Sequence, residues 1–484
     1  MRETILKFGG TSLADADAVA RVPAIVRAHG GPRPVMVVSA LAGATDLLLA
    51  AADAAARGAP DERAGDLDAL FERHREIAGR LVSGERLRAF LDELDRVQPE
   101  LAALLDRLSR EPPLRPALRD EIASYGERLS SSLLSSTLTE AGLAARWVDA
   151  RHCLITDGTH GRATPLPGPT AERTQAQVLP LLDQGLVPVL GGYIAATPEG
   201  VTTTLGRGGS DYTAALVGAV LGAREIQIWT DVSGVLTADP RVVPEARPIP
   251  TLSYREAAEL AYFGAKVLHP KTIQPAMDRA IPVRICNSRA PDDPGTVVTA
   301  PRGEAGEGTE EGEGEGAGAG PLRYGAVKAI AHKTGITVLQ ITSARMLGAY
   351  GFLRALFEVF DRHRTAVDVV ATSEVSVSLT VDDTEPIADL THDLGRLGSV
   401  GIERDRAIVC VVGEGLRTTP GIAARVFETI RDINVSLISQ GASRVNLTFV
   451  VEAAHVEAAV RRLHSALFER GRSAARAVAA RSRS

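Results

Sequence analysis

Residues 202–215 read Thr-Thr-Thr-Leu-Gly-Arg-Gly-Gly-Ser-Asp-Tyr-Thr-Ala-Ala, and the fold class turns on them. An apolar run at 187–190 lies upstream as a strand. Downstream, Tyr212, Ala215, Leu216, Ala219 and Val220 recur at i, i+3, i+4, i+7 and i+8, the period of a helix with one buried face. Gly206, Gly208 and Gly209 form the turn between them, with Ser210 as the expected N-cap. A glycine-rich turn opening a helix aims unpaired backbone N–H groups outward, where a phosphate or carboxylate can sit. Arg207 adds a planar fork for a bidentate grip on such an anion. Asp211, in the first helical turn, can orient a lysine or help to hold a metal. An ordinary strand-to-helix turn with a solvated arginine explains the same residues, so the rest of the chain has to decide.

The 484 residues are 45% hydrophobic and 24% charged, enough for two or three globular domains. A formal net charge of −6 argues against a nucleic-acid partner. Cys153, Cys286 and Cys410 are scattered with no CxxC pair, the pattern of buried thiols in a reducing compartment. No apolar run approaches the roughly 20 residues of a membrane-spanning helix. A strand begins by Thr4, leaving no room for a signal peptide. The expectation is a cytoplasmic protein with no membrane partner. The histidines form no HxxxH or HExxH set, so no structural or catalytic zinc is expected.

Strands alternate with helices through the first 300 residues. Ile5, Leu6 and Phe8 make a short strand that ends in Gly9-Gly10-Thr11-Ser12, and a helix follows from about Asp15. Residues 34–39 are a continuous apolar strand of the kind buried on both faces of a parallel sheet. After a helix entered at Gly43, residues 57–115 are helical and charged, and 118–141 form a long helix carrying Glu127. Strands follow at 145–148, 187–190 and 225–230, with a last one at 283–286 and helices near 171–183, 254–263 and 273–279. Such alternation predicts an α/β sandwich on a mainly parallel sheet.

Residues 301–321 hold eight Gly and six Glu, a composition that cannot bury a core and predicts a mobile linker. Beyond it lies an internal repeat. Shifted by 70 residues, Gly351-Phe352 falls on Gly421-Ile422, Phe357-Glu358 on Phe427-Glu428, and Ser373, Val375 and Val377 on Ser443, Val445 and Leu447. Two small α+β modules are expected, followed by a solvated, disordered basic tail over 471–484.

Four clusters fall on loops that follow strands, where open α/β sheets place ligands. Lys7 with Gly9 and Gly10 suits a phosphate, combining a point charge with close backbone approach. Ser39 and Thr45 offer hydroxyls. Glu127 stands on the long helix, where a glutamate is ordinarily solvated. Arg207, Ser210 and Asp211 join Thr230, Asp231, Arg241 and Lys266. No GK[ST] tripeptide occurs, which excludes a Walker-type nucleotide fold.

Together, Lys7-Phe-Gly-Gly-Thr-Ser12, the 202–215 stretch, Trp229-Thr-Asp231, Asp239-Pro-Arg241 and Phe263-Gly-Ala-Lys-Val-Leu-His-Pro270 resemble the aspartate kinase family in order and spacing. The repeat resembles that family's paired ACT regulatory domains. The resemblance implies an amino-acid-kinase three-layer α/β sandwich on a mainly parallel sheet over 1–300. The linker and two ferredoxin-like α+β ACT domains then follow, at 322–405 and 406–470. In that family one ACT module is inserted in the other, so 326–333 would join the second.

It further implies transfer of the γ-phosphoryl group of ATP, taken with Mg2+, to the side-chain carboxylate of L-aspartate, opening lysine, threonine and methionine biosynthesis. Lys7 and Asp211 would be catalytic, and Thr45, Glu127, Arg207 and Ser210 would bind aspartate. Lys7, Gly9, Gly10, Thr230, Asp231, Leu236, Arg241 and Lys266 would meet ATP, although Leu236 replaces a frequent tyrosine. Met346, Gly351, Phe352, Leu353, Val367, Asp368, Ser373, Glu374 and Val375 match the effector pattern of the lysine-sensitive type. L-lysine is therefore the implied allosteric inhibitor, with threonine the alternative because Ala349 and Ala366 depart from the pattern where serine is usual. A homodimer or tetramer assembled through the ACT domains is implied as well. The chain ends at Ser484 without a dinucleotide-binding domain, which speaks against the form fused to homoserine dehydrogenase. Another amino-acid kinase, for glutamate or acetylglutamate, and a catalytically dead amino-acid sensor are the alternatives.

Overall fold

The computed structural model describes residues 2–111, 115–263, 268, 270–300, 326–348, 350–382 and 387–469. Their contacts divide them into two compact units.

The first unit begins with β1 (Thr4–Phe8), α1 (Ala16–His29), β2 (Pro34–Val38), α2 (Ala44–Ala56), α3 (Ala64–Leu81), α4 (Gly84–Arg110) and α5 (Arg115–Glu140). Then come β3 (Ala145–Val148), α6 (Pro167–Asp183), β4 (Val187–Gly191), β5 (Ile194–Ala196), β6 (Thr202–Thr204), α7 (Gly209–Leu221) and β7 (Glu225–Thr230). The last elements of this stretch are β8 (Thr251–Ser253), α8 (Tyr254–Tyr262), α9 (Pro270–Asp278), β9 (Val283–Asn287) and β10 (Thr296–Thr299); most of α8 groups with the second unit.

Eight strands form one sheet in the order β3-β4-β2-β1-β7-β9-β10-β8. Every pairing is parallel except β9 with β10. β1 is buried along its whole length, so its alternating side chains must serve two layers. Leu6 and Phe8 join Met36, Val38, Val22, Leu48, Ile122 and Leu129 in one core built with α1, α2 and α5. Ile5 points the other way, to α7, where a side chain on Gly218 would lie 3.4 Å from it. Helices therefore cover both faces. Removing a fully buried side chain such as Leu48 costs about 2–5 kcal/mol, because the cavity only partly collapses.

The second unit contains β11 (Ala329–Thr342), α10 (Phe352–Arg362), β12 (Val370–Thr372), β13 (Ser376–Asp382), α11 (Ile387–Leu394), β14 (Ser399–Val412), α12 (Ile422–Thr429), β15 (Leu437–Gln440), β16 (Asn446–Glu452) and α13 (Val456–His464). Its antiparallel sheet runs β12-β13-β11-β14-β16-β15. The 70-residue shift carries Ser376–Asp382 onto Asn446–Glu452, so the repeat is structural as well as sequential. The two long central strands join the copies. The start of β11, Ala329 to Lys333, pairs with Val412 to Ile408, and its end pairs with Thr342 opposite Ser399.

Several expectations need correction. Gly208, at φ +72°, is the N-cap of α7, and Ser210 lies inside the helix. The chain needs a left-handed residue there, which glycine adopts without the Cβ clash that serine would suffer. A short antiparallel ribbon, β5 with β6, precedes the turn and was not foreseen. The strand at 283–286 is not the last, since β10 follows it. Leu236–Ile249 and the chain from Arg255 to Phe263 group with the second unit, not with the rest of the first 300 residues. The cause is local pairing: Ile330 N–H donates to Thr237 O at 2.8 Å and Lys328 pairs with Glu256 at 2.7 Å. Val242 and Val243 also enter the core around Val409 and Phe449. The expected linker at 301–321, the tail at 471–484, Lys266 and Ala349 lie outside the described residues.

Candidate active site

An open cleft of about 590 Å³ lies at the ends of the first unit's central strands. It is lined by Lys7 and Gly10 after β1, by 39–43 after β2, by Thr45 and Asp46 of α2, and by Arg119 and Glu127 of α5. Leu49, Gly161, Tyr193 after β4 and the 206–211 turn complete it.

Strand parity positions the cation. Lys7 shares a face of β1 with Ile5, the face toward α7, and its Nζ lies 2.6 Å from Asp211 Oδ1 in the first turn of that helix. Both side chains are mostly buried, 11% and 16% exposed. The contact is a close ion pair, not an aligned hydrogen bond. α7 can press this close because residue 192 is glycine: a Cβ there would come within 2.6–2.8 Å of Ser210. The next residue, Tyr193, holds φ +65° with its N–H donated to Thr213 Oγ1 at 3.1 Å. A non-glycine residue in that region carries strain of order 1–3 kcal/mol.

Glu127 is the opposite of a solvated helix glutamate. It is 3% exposed. Its Oε1 accepts the Ala40 N–H at 3.2 Å, and its Oε2 is buried with no partner among the described residues. Ser130 Oγ donates to Ser39 O at 2.8 Å and holds this part of α5 against the end of β2. Burial pushes the Glu127 carboxyl up to about 8, against the opposing pull of the Ala40 N–H and Lys7. A buried acid with one free oxygen facing a cleft is a receptor for a cation that brings its own charge.

Arg207 is exposed on the turn between Gly206 and Gly208, and no carboxylate is paired with it among the described residues. Arg119, which sequence reasoning missed, also lines the cleft but is engaged by Asp53 at 3.0 and 3.2 Å. The cleft thus offers Lys7, a free guanidinium and an unpartnered buried acid within one cavity. That set matches a zwitterion beside a phosphate.

The expected nucleotide residues are divided. Phe8 is opposite Trp229 in the sheet and Gly9 N–H donates to Trp229 O at 3.0 Å, so Gly9 and Thr230 sit side by side at the strand ends. Thr230 Oγ1 donates to Asp231 Oδ1 at 3.1 Å. Leu236 and Arg241 belong to the second unit, where the Arg241 guanidinium turns back on Asp239 at 2.6 Å.

In the second unit, Gly351 (φ +82°) opens α10, and Phe352 and Leu353 begin it. Ser343 N–H donates to Val375 O at 2.8 Å, which brings the turn before Met346 beside residues 373–375. Met346, Phe352 and Val367 pack on the core of the first repeat. Ser373 Oγ lies 2.7 Å from Ser376 Oγ. Glu374, Ala366 and Val375 are exposed. Asp368 is already engaged, with Lys333 at 2.8 Å and with the Tyr262 hydroxyl.

Residues 2–287 match the amino acid kinase family, and 409–467 match the ACT domain. The chain is 39% identical over 473 residues to lysine-sensitive aspartokinase 3 of Escherichia coli (strain K12), covering 96% of this chain and 99% of that one. Two crystal structures of E. coli aspartokinase III, one with aspartate and ADP (R-state) and one with lysine and aspartate (T-state), each superpose with a TM-score of 0.79 at 38% identity. Each match covers 96% of this chain and all of the other. No helix among the described residues is long and apolar enough to cross a membrane.

The buried carboxyl has a measurable signature. An unfolded glutamate ionises near 4.5, whereas Glu127 in the fold ionises near 8. Between those values the folded protein holds a proton that the unfolded chain has lost, so the stability this group contributes falls as pH rises and levels off above about 8. Thermal melts of wild type and Glu127→Gln from pH 5 to 9 should therefore diverge in favour of the glutamine variant, by up to about 1.4 kcal/mol per pH unit. Parallel curves would show that the carboxyl is ionised in the fold.

Proposed function

The chain belongs to the aspartokinases, within the amino acid kinase family, and from that premise we propose that it transfers the γ-phosphoryl group of ATP to the side-chain carboxylate of L-aspartate. The products are ADP and 4-phospho-L-aspartate. The observation that carries this reading is the single cleft joining the Lys7–Asp211 pair, the free Arg207 fork and the unpartnered Glu127 oxygen. Aspartate presents two carboxylates and one ammonium, and the cleft offers a complement for each.

Arg207 clamps the α-carboxylate, the planar anion its fork suits. Glu127 takes the ammonium, with Thr45 and Ser210 adding hydrogen bonds. The side-chain carboxylate is then the group left to face Lys7. That carboxylate is ionised at neutral pH, so no general base is required and the burden falls on positioning and charge neutralisation. Lys7 stabilises negative charge on the transferring phosphoryl oxygens, and Asp211 holds the ammonium of Lys7 in place. Mg2+ commonly takes one or two protein carboxylates and fills its shell with phosphate oxygens and water. Asp211 is a donor of that kind, so the residues present fit a nucleotide-borne Mg2+, which would neutralise polyphosphate charge. Gly9, Gly10, Thr230 and Asp231, at the ends of the first unit's strands, serve the nucleotide.

Regulation by L-lysine rests on the matching positions of the first repeat, Met346, Gly351 to Leu353, Val367, Asp368 and 373–375, and on the lysine complex of the E. coli enzyme. Lysine must bind one global state better than the other to inhibit, and its ammonium would share Asp368 with Lys333 and Tyr262 or displace one of them. Apolar exposure on the same repeat supports a homodimer through the regulatory unit. Leu353 and Phe357, one turn apart on α10, are 41% and 40% exposed while Leu356 and Phe360 are buried. Such a product would feed lysine, threonine and methionine biosynthesis.

Lys7→Ala should lower turnover on the order of a hundredfold or more, as deletion of a transition-state charge stabiliser does, in a coupled ADP-release assay with L-aspartate. A folded variant with near-wild-type turnover, or wild type preferring L-glutamate, would overturn the reading. L-Lysine should inhibit wild type and lose at least about tenfold potency in Asp368→Ala, in line with the loss of a buried charge partner. Inhibition unchanged in that variant removes Asp368 from the effector site, and inhibition by threonine alone reassigns the effector.

A further inference from the structure

β6 is three threonines, and each hydroxyl is spent on a different anchor. Thr202 Oγ1 accepts from Arg151 at 3.1 Å, Thr203 Oγ1 meets Thr156 Oγ1 at 2.6 Å, and Thr204 Oγ1 donates to Asp120 Oδ1 at 2.7 Å. All three threonines are buried. The strand leads directly into Leu205-Gly206-Arg207-Gly208, a turn with left-handed glycines on both sides of the arginine. Two such glycines give the turn little stiffness of its own. What holds Arg207 in position must come from the segments around it.

Asp120 is where those segments meet. It is 4% exposed and does not line the cleft. Besides Thr204, its carboxylate accepts the Gly161 N–H at 3.0 and 3.1 Å and faces His160 Nδ1 at 2.8 Å. Gly161 in turn borders the cleft and supports the turn from below: a Cβ on Gly206 would lie 3.1 Å from Gly161 O. Ala163 N–H donates to Thr204 O at 2.8 Å and closes the loop back onto the strand. One buried carboxylate therefore fixes both walls between which the Arg207 turn is set. A buried carboxylate is costly unless its lone pairs are filled, and here three donors from two segments fill them.

We propose that Asp120 is a positioning residue for substrate recognition, holding the Arg207 turn at the height where its guanidinium grips the substrate α-carboxylate, through Thr204 on one side and the 160–161 loop on the other. The inference rests on the reading of Arg207 as that clamp. A clamp displaced by a fraction of an ångström loses alignment with the carboxylate while leaving Lys7, Asp211 and the nucleotide side untouched. The effect should appear in the Michaelis constant for aspartate and not in turnover at saturation.

Thr204→Val carries the test, since it removes the hydroxyl tie but keeps the branched shape, and Asp120→Asn, Arg207→Ala and the Thr204→Val/Arg207→Ala double variant accompany it. Steady-state kinetics on the full chain, with each substrate varied, are read beside melting temperatures. Thr204→Val should raise the Michaelis constant for aspartate about tenfold, leave kcat and the constant for ATP within about twofold, and have no further effect once Arg207 is alanine. Asp120→Asn, which keeps an acceptor, should show a smaller rise of the same kind. An equal rise in the Arg207→Ala background would mean that the tie acts elsewhere and overturns the inference, as would a lowered melting temperature with aspartate kinetics unchanged. If Arg207→Ala itself leaves the aspartate constant unaltered, the clamp reading and this inference fall together. If Arg207→Ala raises the constant but Thr204→Val does not, the inference falls alone.

Discussion

Lys7 and Asp211, 2.6 Å apart and mostly out of water, set the terms for the rest of the catalytic unit. Two charges held in low dielectric are tolerated only when geometry keeps them together, and removing either partner leaves an expensive orphan. Keeping them together requires β1 and the start of α7 to be locked at one separation. The glycine at 192, against which no side chain could fit, and the left-handed glycine at 208 are what that lock requires of the sequence. The pair stabilises the fold little by itself; in the proposed reaction its value lies in presenting a fixed ammonium to the phosphate oxygens.

Glu127 follows the same logic with the sign reversed. The fold buries a carboxyl, gives one oxygen an N–H and leaves the other without a partner among the described residues. Burial holds the proton on it to about pH 8. Near neutrality the fold thus keeps a neutral acid here, and in the proposed complex an incoming ammonium would restore the charge that burial suppresses. Arg207, exposed and unpaired with any carboxylate among the described residues, is the opposite device, a guanidinium that the proposed function closes on an anion. A buried acid and an exposed arginine lining one cleft are what, in the proposed function, would give a small zwitterion a single orientation.

Much of this was legible from residue order. Lys7 after an apolar strand, the glycine turn before a periodic helix and the charged arginine between glycines could be placed because period and turn chemistry are local. Glu127 was legible only through family resemblance, since nothing in its own helix says that it is buried; α5 is buried on nearly every side because other elements enclose it. The Gly208 cap was misassigned to Ser210 because both residue types begin helices and the choice depends on a backbone angle. Arg119, Asp120 and Tyr193 carry no local signal. Their significance comes from partners at Asp53, Thr204 and Thr213, which only the folded chain brings near. The grouping of 236–249 with the regulatory unit was hidden for the same reason: Val242 and Val243 read as ordinary apolar residues until their core is known.

The account stands on aspartate lying in the cleft in one orientation. A crystal structure of the full chain with L-aspartate, Mg2+ and a non-hydrolysable ATP analogue reads that orientation directly. The account predicts the α-carboxylate on the Arg207 guanidinium and the ammonium within hydrogen-bond reach of Glu127 Oε2. The side-chain carboxylate should then point at the γ-phosphate beside Lys7. Aspartate bound with its side-chain carboxylate on Arg207, or with no ligand nitrogen near Glu127, would contradict it.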